Sequence, residues 1–169
     1  DKRGIDYRQN AFARYLSGLM YEIQGQPNDA FIEYVKVTEL EPGFATAQDD
    51  VLRLAGRLQF RQELEAYAKK FGREVPPETP GAGTIVILYE CGLAPQKVPD
   101  RRLPIIPTYV RRSGRAAGAE VVMEGKALAR TSVLNDVEAT MVRTLDDRAA
   151  ALLAKRAASI AAKEVVAYQ

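Results

Sequence analysis

Leu16-Ser17-Gly18-Leu19-Met20-Tyr21-Glu22-Ile23-Gln24-Gly25-Gln26-Pro27-Asn28-Asp29-Ala30-Phe31-Ile32-Glu33-Tyr34-Val35-Lys36-Val37-Thr38-Glu39-Leu40-Glu41-Pro42 is the stretch whose reading decides the fold. Gly18 and Tyr21 stand three apart on one predicted helix, a small residue beside a large one. Ala30, Tyr34 and Val37 fall at i, i+4 and i+7 on a second, which places them on one face. Between the two, Gln24 to Asp29 stops one helix and starts another. Gly25 suits a left-handed C-cap, Asn28 or Asp29 suits an N-cap, and Pro42 ends the second helix. Small Gly18 and Ala30 let the helices approach closely while Tyr21 and Tyr34 fill the space beside them. A helical hairpin follows.

The order of small, aromatic, small, aromatic and proline positions resembles the tetratricopeptide repeat, a helical hairpin of about 34 residues. The resemblance covers roughly residues 11–44, with Arg14 where tryptophan is common and Ser17 where leucine is usual. A second unit is expected from Ala45. Val51, Leu54, Ala55 and Leu58 make one amphipathic helix, and Leu64, Tyr67, Ala68 and Phe71 another, joined by a shortened turn. The resemblance places Phe12, Tyr15, Leu19, Glu22 and Ile23 on the concave, protein-binding face. That set is aromatic and aliphatic, without the Lys and Asn of repeats that grip a C-terminal carboxylate. It therefore implies an apolar peptide, or another part of the same chain, as the occupant.

Residues 75–82 include Pro76, Pro77 and Pro80, which cannot continue a helix. They are read as a linker between a helical domain, residues 1–74, and a small α+β domain, residues 83–169. Thr84 to Tyr89 is a continuous apolar run expected to form a strand buried on both faces. Leu103 to Val110 is a second candidate strand, confined by its prolines to an edge. Glu120–Met123 and Ala127–Thr131 flank Glu124-Gly125-Lys126, a hairpin turn. From Asn135 the period is helical again, with Asn135 or Asp136 as N-cap and with Asp146-Asp147 as a possible start of a second helix. The expected class is α+β: helical hairpins, then a small, mostly antiparallel sheet, then a long C-terminal helix.

Composition narrows the chemistry. The 169 residues contain no histidine and one cysteine, which removes Ser-His-Asp and Cys-His catalysis, His-ligated zinc and any internal disulfide. The 24 basic and 22 acidic side chains leave a net charge of +2, too balanced to demand a nucleic acid or anionic membrane as partner. Cys91 follows Glu90, whose charge disfavours thiolate, so a small buried thiol at a strand end is the better reading. Asp49-Asp50 and Asp146-Asp147 are helix neighbours pointing about 100° apart, so neither pair shares one proton or ion. Lys97, Arg101, Arg102, Arg111, Arg112 and Arg115 face one acid, Asp100, in residues 97–115. Arg111, Arg112 and Arg115 are the residues of an alternative polyanion-binding reading. Tyr109 is the cluster's one aromatic, which leaves it without a stacking platform.

The combination also resembles a family of bacterial tetratricopeptide-containing lipoproteins of largely unassigned function. The likeness rests on Asn10 to Leu19, on Val86 to Lys97 and on the Asp136–Lys155 helix. Relatives more often carry Glu-Asn-Gly-Leu-Ala-Pro where this chain has Glu90-Cys91-Gly92-Leu93-Ala94-Pro95, which argues against a working cysteine. The resemblance implies export and attachment to a membrane from the periplasmic side through an anchor upstream of Asp1; without it, a cytoplasmic location is expected. The chain, opening at Asp1 and stopping after the apolar Val165-Val166-Ala167-Tyr168, reads as a fragment. The functional expectation is a non-catalytic scaffold or adaptor for a protein or peptide, with no cofactor and no metal. The alternatives are a carboxylate- or Ser/Lys-dependent enzyme in the second half and a weak polyanion binder.

Overall fold

The computed structural model describes residues 10–77, 81, 83–112 and 118–167. They belong to two compact units, Asp1–Leu88 with Ala129–Asn135, and Tyr89–Leu128 with Asp136–Gln169. The first thus runs past the proline-rich stretch, of which 78–80 and 82 lie outside the described residues. It also takes in Leu134, which packs against the helical core.

Four helices build this unit: α1 (Ala11–Ile23), α2 (Pro27–Leu40), α3 (Ala45–Arg57) and α4 (Arg61–Phe71). Asn10 caps α1 by accepting from the Ala13 N–H at 3.2 Å. Pro27 opens α2, where its missing N–H costs nothing; the cap position is therefore Gln26, and Asn28 and Asp29, expected as caps, lie inside the first turn. Gly72 closes α4 in the left-handed region at φ 64°, which only glycine adopts without penalty. The three-residue turn between α3 and α4, Leu58 to Phe60, has Gln59 at φ 57°, a conformation that the short connection imposes on a non-glycine residue.

Tyr34, Val37, Val51, Leu52 and Leu54 are fully buried. Gly18 decides how closely α1 approaches α2: a Cβ there would lie 2.5 Å from Cε1 of Tyr34. Rings carry the packing on. Tyr15 lies 5.3 Å from Tyr34 and edge-on to Phe44 at 5.4 Å, while Phe31 meets Phe60 and Tyr67 at 5.5 and 6.1 Å. The second hairpin foreseen after Ala45 is present as α3 and α4.

In the second unit, β1 (Gln96–Pro99) pairs antiparallel with β2 (Pro107–Val110), placing Gln96 opposite Val110 and Pro99 opposite Pro107. Asp100 shapes the loop between them by accepting the N–H groups of Arg102 and Leu103 at 2.8 and 2.9 Å. A separate two-stranded sheet joins β3 (Glu120–Met123) to β4 (Lys126–Arg130). Glu124 and Gly125 both have positive φ, 50° and 77°, the turn whose twist suits a two-residue hairpin. One unbroken helix, α5 (Val137–Ala167), follows. Asp136 is its cap, accepting the Ala139 N–H at 3.0 Å, and α5 packs on β2.

The class is α+β, with five helices and two small antiparallel sheets among the described residues. Three expectations need correction. Thr84–Tyr89 forms no strand: it has no regular secondary structure and is exposed, because among the described residues no other strand lies alongside to take its backbone hydrogen bonds. The second strand begins only at Pro107, leaving Pro104 in the loop, and it pairs with Gln96–Pro99, a segment with no strand signal of its own. Asp146-Asp147 starts no new helix: Asp147 pairs with Arg143 one turn earlier, at 3.3 Å, within α5.

Candidate protein-binding surface

Helical spacing sorts the α1 residues into two adjoining stripes. Ala11, Tyr15, Gly18 and Glu22 turn toward α2 and α3, and the first three are buried. Phe12, Leu16, Leu19 and Ile23 fall at i, i+4, i+7 and i+11 beside them, with Met20 next in line. Phe12, Leu16 and Leu19 are half-buried, whereas Met20 is 54% and Ile23 77% exposed. The five residues expected on the binding face are therefore split. Phe12, Leu19 and Ile23 share the outer stripe, although Leu19 also packs against the core; Tyr15 is part of the core, and Glu22 lies between α1 and α3.

The polar ends of Tyr15 and Glu22 meet a constellation that sequence reading did not assemble. Tyr15 donates its hydroxyl to Asp50 Oδ2 at 2.9 Å. Arg53 donates to both oxygens of Glu22, at 2.6 and 2.9 Å, and to Asp50 Oδ1 at 2.9 Å. Tyr34 adds its hydroxyl to Glu22 Oε2 at 3.2 Å. The forked guanidinium thus straddles two carboxylates from different helices and fixes α1 against α3. Asp49, one position earlier and rotated away, is instead held by Arg73 through two bonds of 2.9 and 2.8 Å. The only sequence signal for the network was the Asp50/Arg53 spacing of three, which is common on helices and points to no partner.

Electrostatics follow from burial and from Arg53. Burial pushes the hydroxyls of Tyr15 and Tyr34 up, and neighbouring Asp50 adds to this, so both stay protonated donors. Burial also raises the Asp50 carboxyl, against the pull of Arg53 and Tyr15. At Glu22 burial again opposes ionisation, but the Arg53 hydrogen bonds and charge outweigh it and hold the carboxyl below its ordinary value. Arg53 is held protonated chiefly by its bonds to Glu22. Among the described residues no buried side-chain nitrogen or oxygen lacks a partner. The network acts as a brace under the outer stripe, and its hydrogen bonds are already spent.

Beside the stripe, sharing only Leu16 with it, lies a shallow depression of about 250 Å³, lined by Leu16, Ser17, Met20, Tyr21 and Gln24. That is below the roughly 300–1,000 Å³ typical of small-molecule sites. It suits a side chain from a partner better than an enclosed ligand. No protein-family model, curated protein or solved structure matches this chain. The site is therefore read from its own geometry.

Elsewhere, Arg111 reaches Glu138 at 3.8 Å while staying 64% exposed, and the Arg112 backbone N–H donates to the same carboxylate at 3.3 Å. Arg115 lies outside the described residues. Asp100 is held below its ordinary range by the Leu103 and Arg102 backbone N–H groups. Cys91, expected to be buried, is exposed, because the strand that would have enclosed it does not form. Among the described residues, no three His, Cys, Asp or Glu side chains converge as a metal site. No helix among them is long and apolar enough to cross a membrane.

Proposed function

We propose that the chain is a protein-binding scaffold whose tetratricopeptide-like hairpins present the outer stripe of α1 to an amphipathic helix of a partner. One observation carries this reading: the apolar stripe Phe12–Leu16–Leu19–Ile23 continues from the half-buried into the exposed region of a helix that its inner face already anchors. An exposed apolar ridge at i, i+4 and i+7 spacing matches how helices dock into apolar surfaces. The Arg53 brace supports the reading by holding α1 rigid, which lowers the ordering cost of binding.

The test is selection from a library of displayed peptides. The wild-type chain is expected to enrich amphipathic helical sequences whose binding persists at high salt, and Met20→Glu/Ile23→Glu to lose them with its helical circular dichroism intact. Enrichment of acidic peptides released by salt and by Arg111→Ala/Arg112→Ala would sink this proposal in favour of the polyanion reading. The resemblance to envelope lipoproteins supports a periplasmic, membrane-anchored setting for this scaffold. Fractionation of the full-length protein from its native cells tests that setting, and recovery in the cytosol would overturn it.

A further inference from the structure

Thr84-Ile85-Val86-Ile87-Leu88-Tyr89 combines β-branched and aromatic residues with no charge and no proline, the composition of a buried strand. Nevertheless Ile85 is 87% exposed, and Val86 to Tyr89 are exposed as well. Among the described residues, none of the backbone groups of 84–89 forms a hydrogen bond within the chain. Water satisfies these groups only while six consecutive strand-forming residues stay bare, which single-chain proteins normally avoid. The segment is a strand without a sheet.

The same chain holds sheets short of strands. Both are two-stranded, and pairs of strands are marginal in water until a third strand or a helix joins them. Their edges differ. The β1–β2 ladder ends with Pro99 opposite Pro107, which lack N–H donors, and α5 already packs on β2. The β4 strand carries Lys126 and Arg130 at its ends, the charges that discourage edge pairing. Among the described residues β3, which carries Glu120 at its start but has no proline or lysine across Val121-Val122-Met123, offers the least guarded edge, and Val122 and Met123 are exposed.

We propose that residues 84–89 of one copy add as a third strand to the outer edge of β3 in a second copy. Each copy carries both halves of the joint, the spare strand and the least guarded edge, so the chain is complementary to itself. The six uncharged residues span the four of β3 with room at either end. Reciprocal exchange closes a dimer, and one-way exchange extends into longer assemblies.

The experiment combines sedimentation with amide hydrogen exchange on the whole chain across a dilution series. The wild-type chain is expected to self-associate, with amides of 84–89 and 120–123 both slowed at high concentration and released on dilution. Ile87→Pro removes a donor from a segment that makes no backbone bonds in the single chain, so the fold of each copy is left intact. It is expected to sediment as a monomer and to leave 120–123 unprotected. A monomeric wild-type chain overturns the proposal. So does an assembly that Ile87→Pro leaves unchanged, one in which 120–123 exchange freely, or protection of 84–89 that persists in the monomer.

Discussion

The helical hairpins and the segments after Leu88 divide the apolar residues very unevenly. The described residues that form the buried hydrophobic core all lie between Ala11 and Ala55. By contrast Val110, Val122, Met123, Leu128 and Leu153 are exposed although their types are equally apolar. The difference follows from how each kind of element satisfies its backbone. A helix completes its hydrogen bonds within itself, so four short helices need only bury their stripes against one another. A strand needs neighbours for its backbone and a covering layer for its side chains, and here the sheets have two strands each. Stability should therefore concentrate in α1–α4, while the later elements offer exposed apolar surface.

Denaturation of matched variants gives the widest test of that contrast. Leu54→Ala, at a fully buried site, should cost about 2–5 kcal/mol, whereas Leu128→Ala, 57% exposed on β4, should change stability by less than about 0.5 kcal/mol. Equal losses would break the comparison.

Next in size is the ionic brace. Glu22→Gln removes the charge that Arg53 grips from two sides, and a loss of about 1.5–3 kcal/mol is expected near pH 7. The sign with pH is set by the lowered carboxyl of folded Glu22. Its ionised form stabilises the fold above the ordinary 4.5, and that contribution fades as pH falls through the lower folded value. Stability curves of the wild type and of Glu22→Gln should thus converge in acid. Asp50, raised by burial, contributes in the opposite sense; because the Glu22 charge itself raises Asp50, Glu22→Gln also eases that carboxyl and trims the loss at neutral pH.

Gly18→Ala sharpens the packing argument through its sign. Helix propensity alone would make the change stabilising by about 1 kcal/mol. The Cβ would, however, meet the ring of Tyr34, which has no exposed side to move toward, so a net loss of about 1–3 kcal/mol is expected. A rise in melting temperature would show that α1 and α2 can separate at little cost. The smallest effect is reserved for Arg111→Ala: its contact with Glu138 is long and exposed, and less than about 0.5 kcal/mol, further reduced by salt, should be lost.

Much of the helical half was legible in sequence because its signals are local. The small residues Gly18 and Ala30 at the helix contact, the Gln24–Asp29 connection and the second hairpin from Ala45 all rest on spacing within a few turns, although Tyr21, expected to fill the space with Tyr34, stays exposed. So did the Glu124-Gly125 turn and the cap at Asp136, one of the two residues the sequence allowed. The candidate surface was half legible. Helical periodicity groups Phe12, Leu19 and Ile23, but it does not tell that Tyr15 is consumed by the core or that Glu22 is gripped by a residue 31 positions later.

The sequence by itself determined in which segments helices form and which residues share a face, because prolines and the 3.6-residue period act over a turn or two. Tertiary structure alone decided which stripe stayed outside, which of two adjacent aspartates met Tyr15 and which met Arg73. It also decided that Thr84–Tyr89, so strand-like in composition, has no strand beside it among the described residues. A helix carries its hydrogen-bond partners in its own sequence, whereas a strand must be given them by the arrangement of the chain.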